Sequence, residues 1–140
     1  EYFNHYRYNP NSISKKVDEK NTGYLVDCFH VIQENIETFP DKKVFIEPLY
    51  QRVAYVVIAI AMSTYFHPDN KDSVFKKINK FAKVIKENDL FSTSIAKCTT
   101  TGMDKQRKLT LTFIRLHIYI MLPFIGWLKQ CCLKKGKYNY

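Results

Sequence analysis

Glycine and proline are scarce in this 140-residue chain, at 4 and 5 residues, which excludes collagen-like repeats and Pro/Gly-rich linkers. Only 4 cysteines occur, Cys28, Cys98, Cys131 and Cys132, and their spacing fits no disulfide framework. Arginine is rarer than lysine: Arg7, Arg52, Arg107 and Arg115 are the full set. Base readout favours arginine, so this poverty argues against sequence-specific nucleic-acid recognition. Gly-rich phosphate loops, Gly-x-Ser-x-Gly and His-Glu-x-x-His are absent, and no catalytic residue, metal ligand or cofactor is assigned. No uncharged run reaches the 20 or so residues of a spanning helix. The longest are Val53–Pro68, 16 residues, and Leu116–Leu128, 13 residues, and both read as core. The chain opens at Glu1 rather than Met, as a processed or excised piece would, and no Asn-x-Ser/Thr sequon is present. The compartment is therefore not fixed, with the missing sequon leaning towards an intracellular one.

What is present is apolar residue in quantity. At 46% hydrophobic, 15% aromatic and 25% charged, the chain matches an ordinary globular domain, and its length can bury a real core. Residues 1–22 read as an irregular, Tyr-rich N-terminal arm, and 23–140 as one domain. Leu25, Cys28, Phe29, Ile32, Ile36 and Phe39 recur at helical spacing and Pro40 closes that helix. Pro48 suits the first turn of the next, and 49–66 is apolar nearly all round, the mark of a central helix. Val74, Phe75, Ile78, Phe81, Ala82 and Ile85 form the stripe of a third helix, capped by Asp72 or Ser73. Leu109, Phe113, Leu116, Ile120 and Phe124 predict a last helix that starts at Asp104 and bends at Pro123.

The expected fold is all-α, a compact bundle of four to five helices around the central helix 49–66. The competing expectation is an α+β fold with a C-terminal hairpin, 92–100 against 108–122, because Leu116, Ile118, Ile120 and Leu122 also alternate.

The net charge of +9 is unevenly placed. From Lys105 to Tyr140 there are eight basic residues and no acidic one. Lys105, Arg107, Lys108, Lys129, Lys134, Lys135 and Lys137 are the candidate anion-binding residues, and Trp127 the candidate anchor for a partner, although such a residue often packs in the core. The expected function is a non-enzymatic helical interaction domain that binds a protein partner and carries a basic C-terminal surface. One alternative is non-specific nucleic-acid binding through 105–137, with the lysines of 76–83 extending the surface and Tyr138 and Tyr140 stacking on bases. The other is peripheral attachment to an anionic membrane through the C-terminal segment, where Cys131-Cys132 beside lysines is also the setting of palmitoylation. Cys28-x-His30 with Cys131-Cys132 supplies zinc-ligand types, but at no recognised spacing.

Overall fold

A computed structural model of the chain describes residues 20–134, with only the backbone given for Asn21, Lys129, Gln130 and 132–134. Six α-helices follow in order: α1 (Lys20–Glu37), α2 (Lys42–Ile60), α3 (Val74–Glu87), α4 (Asp89–Lys97), α5 (Lys105–Arg115) and α6 (Leu122–Lys134). A π-helical turn, Ala61–Tyr65, extends α2, and a 3-10 turn, Tyr119–Met121, precedes α6. The fold is an all-α compact bundle. It has one helix more than the four to five expected, because the last expected helix is divided into α5 and α6. The hairpin alternative is overturned: there is no strand among the described residues, and 92–100 and 108–122 are helices and turns.

The central rod is where the apolar run predicted it. Val53, Ala54, Val57, Ile58, Ile60 and Ala61 are buried, and α2 packs against α1, α4 and α5. The stretch Lys42–Tyr65, 24 residues, is long and apolar enough to cross a membrane by length and composition alone. Here its inward residues are covered by neighbouring helices, as those of a core helix are. The rod starts earlier than expected, at Lys42, so Pro48 stands in its second turn and leaves one rung of the backbone ladder unmade.

At the other end the ladder widens, with the Phe66 N–H donating to the Ala61 carbonyl at 2.8 Å. The loop behind it is pinned by Asn70. Its amide donates to the Thr64 and Tyr65 carbonyls at 3.0 and 3.1 Å, and its oxygen accepts from the Asp72 N–H at 3.0 Å. These are the end carbonyls a helix leaves orphaned.

Three caps fix the remaining starts. Ser73 Oγ accepts from the Lys76 N–H, Asn88 Oδ1 from Phe91 and Asp104 Oδ1 from Arg107. Phe81 of α3 is the aromatic hub, with ring centroids 5.6 Å from Tyr65, 5.4 Å from Phe66 and 5.5 Å from Tyr119. Val74 and Phe75, assigned to the inner stripe of α3, are exposed instead, and its buried residues are Phe81 and Ile85.

The last expected helix is not one bent rod. It stops at Arg115, and α6 begins afresh at Leu122, with Pro123 in its first turn where a missing N–H costs nothing. The N-terminal arm is shortened too. Lys20–Thr22, assigned to it, form the first turn of α1, while 1–19 lie outside the described residues.

Candidate interaction surface

The corner between α5 and α6 is built around Arg115. Its Nε donates to the Ile95 carbonyl at 2.7 Å, and its Nη2 to the Cys98 carbonyl and, at 3.2 Å, to Cys98 Sγ. A guanidinium there satisfies the orphan carbonyls of α4 and complements that helix's negative end. One of the eight C-terminal bases is thus spent inside the fold. Burial pushes the Cys98 thiol up, opposed by the adjacent Arg115 charge.

Beyond Leu116 the backbone passes through the left-handed region at His117, φ 56°. Histidine is among the residues that tolerate that conformation. His117 Nδ1 lies 2.8 Å from Tyr119 Oη, and the buried Tyr119 ring is seated edge-on against Phe81. Burial raises the Tyr119 phenol.

The inner face keeps one helical spacing across this turn. Thr110, Leu111 and Ile114 face the core before it, and Leu122 and Ile125 after it. The expected inner stripe is the other face: Leu109, Leu116, Ile120 and Phe124 are exposed and only Phe113 is half-buried, which corrects the sequence reading.

On α6, Gly126 is pressed against the end of α2. A Cβ there would sit 2.6 Å from the Phe66 carbonyl oxygen. The opposite side of the helix presents Phe124 and Trp127, 52% and 56% exposed and stacked at 5.9 Å, together with Leu128. Half-buried Cys131 continues this row, and exposed Leu116, Ile118, Ile120 and Met121 precede it. Trp127 is thus available as an anchor rather than packed in the core. Phe124, Leu128 and Ile120 were missed as surface residues. The signal was present in their spacing, which runs out of phase with Leu122, Ile125 and Gly126.

A second outward row lies on α1. Phe29 is buried and Leu25, Val26 and Ile36 are half-buried, while Tyr24, Cys28, Val31 and Ile32 face outwards. Cys28, Ile32 and Phe39 were expected on the inner face, and Phe39 lies beyond the end of the helix at Glu37. The row ends at the α1–α2 corner, where exposed Phe39 and Phe45 meet at 5.5 Å beside exposed Val44, and Lys42 bridges to Glu37 at 2.6 Å. Along α1 the charges are acidic, while exposed Lys42 and Lys43 stand at the corner. Asp27, Glu34, Glu37 and Asp41 are exposed, and no Lys or Arg falls between Asn21 and Asp41.

The candidate cations do not form one site. Lys105, Arg107 and Lys108 share the first turn of α5 and are exposed. Arg107 is engaged there, 3.1 Å from Asp104 Oδ2 and over the Tyr55 ring at 5.2 Å. Lys129 and Lys134 lie on α6, their side chains outside the description, and Lys135 and Lys137 are outside the described residues altogether. On α3, Lys76 and Lys80 both bridge to Asp72, and Lys83 reaches Glu87. Among the described residues no three His, Cys, Asp or Glu side chains converge on a metal position. No protein-family model matches the chain, and comparison with the curated proteins and with solved structures finds no match.

Proposed function

We propose that this is a non-enzymatic interaction domain that docks a protein partner on the outward face of α1 and the α1–α2 corner. The carrying observation is the exposed row Tyr24, Val31 and Ile32, continued by the Phe39–Phe45 pair and bordered by Asp27, Glu34 and Asp41. An apolar centre with a charged rim is the anatomy of a protein interface. Helix-in-groove recognition reads such anchors at i, i+4 and i+7 spacing. The carboxylates along α1 favour the occupant: an anionic bilayer or a phosphate backbone is disfavoured beside Asp27, Glu34 and Asp41, whereas a basic amphipathic segment of a protein is complementary to them.

A photo-crosslinking residue at Val31 tests the reading in the cell of origin. The expected result is a discrete protein adduct that disappears when Ile32→Asp and Phe45→Asp are introduced together. With the captured protein purified, that double variant weakens binding by roughly a hundredfold, as loss of two anchors does. An adduct that survives the double variant, or none at all, rejects the docking site.

A further inference from the structure

We infer that the outward face of α6 is a docking surface for an anionic lipid bilayer. The inference rests on α6 and its approach, and is independent of the α1 face. α6 is apolar on both sides. Leu122, Ile125 and Gly126 hold it to the body of the domain, and Phe124, Trp127 and Leu128 look away from it, with Ile120 and Met121 just before. A helix lying between a protein core and acyl chains has this double-sided character, because neither neighbour offers water to either face. Trp and Phe at such a surface are the residues that settle at headgroup depth.

The charge around the stripe settles the kind of surface. Nothing acidic occurs in the 36 residues from Lys105 to Tyr140, whose eight basic residues include Lys129 and Lys134 on the helix itself. A stripe on a segment that carries lysines and no carboxylate is complementary to a negative surface, and lysine stems can lie along apolar material while their ammonium groups stay wet. A nucleic acid would use the bases but leave the stripe uncovered. It would also lack its best contacts, since Arg115 is tied to the end of α4 and Arg107 to Asp104 and Tyr55. The hydrogen-bonded corner at His117 and Tyr119 presents the stripe on a helix already formed, so docking needs no coil-to-helix ordering of Phe124–Leu128.

Trp127 is the sole tryptophan, so its emission reports on this face alone. The full chain is titrated with phosphatidylcholine vesicles, with and without phosphatidylserine, and with brominated phosphatidylcholine included as a depth-sensitive quencher. The expected result is a blue shift and quenching of Trp127, with roughly tenfold tighter partition onto the phosphatidylserine vesicles. Phe124→Glu and, separately, Leu128→Glu abolish both signals while far-UV circular dichroism is unchanged. Absence of binding overturns the inference, as does binding without quenching, which would mean adsorption by lysines only. So does full binding by both glutamate variants. A single-stranded oligonucleotide that produces the same blue shift and displaces the vesicles also overturns it, in favour of nucleic acid.

Discussion

The first and last described helices solve the same packing problem with opposite charge and unequal firmness. Each buries one side against the bundle and turns an apolar row outwards. The row on α1 is bordered by carboxylates, the row on α6 by a segment with none. The inner faces differ too. α6 seats Leu122 and Ile125 and brings its backbone against α2 at Gly126. α1 has Phe29 buried among half-buried neighbours, and the Thr22 hydroxyl, buried near its start, has no partner. A helix held by few fully buried side chains opens at lower free energy than one locked on both backbone and side chain. The contrast teaches that exposed apolar area alone does not define a partner. Rim charge and the stiffness of the mounting separate a face suited to an adaptable protein contact from one suited to a flat bilayer.

The largest effect is expected where the end of α5, which leads into α6, is tied to α4. Arg115→Met keeps the aliphatic stem but strips the donors from the Ile95 and Cys98 carbonyls. Bonds from a charged donor to partly buried acceptors are lost, and the domain is expected to lose about 3 kcal/mol by urea denaturation. A loss under about 1 kcal/mol would show that water replaces the guanidinium and that the corner is not locked by it.

One substitution made in both helices sharpens the comparison because its sign reverses. Gly126→Ala drives a methyl group onto the Phe66 carbonyl, a backbone atom that cannot swing aside, and is expected to cost about 2 kcal/mol. Gly23→Ala meets nothing within 4 Å on α1 and relieves the helix of a poor former, for a gain of about 1 kcal/mol. Equal effects in thermal or urea unfolding would mean that the two helices are mounted alike.

Much of the bundle could be read in advance where a local rule decides the outcome. The apolar run of α2, the inner Phe81 and Ile85 of α3, and the Ser73 and Asp104 caps all follow from spacing and capping chemistry. What could not be read are choices made by packing. The last segment carries two apolar faces at helical spacing, one through Leu109, Leu116, Ile120 and Phe124 and one through Leu111, Ile114, Leu122 and Ile125, and spacing alone does not say which is covered. On α1 and α6 apolar residues populate more than one face, and only the neighbouring helices determine which face is covered. The role of Arg115 was not legible either, because the carbonyls it satisfies belong to residues 17 and 20 positions earlier.

The smallest expected effect concerns whether positive charge is as concentrated near the C-terminus as the comparison requires. α3 is rich in lysine, and its surface would blur the contrast if those charges were uncompensated. Asp72 stands at 2.8 Å from Lys80 and 2.9 Å from Lys76, and these two lysines, Lys80 foremost, hold its carboxyl down from the usual 3.8 to about 2. A depressed carboxylate stabilises the folded state above its unfolded value and loses that contribution as pH falls through the folded one. The stability difference between the native chain and Asp72→Asn is therefore expected to be full above about pH 5, to narrow below pH 4 and to vanish below about pH 2. Urea midpoints measured for both chains across that window check it. A difference that stays constant to pH 2 would detach Asp72 from the two lysines, and α3 would then have to be counted with the basic surface.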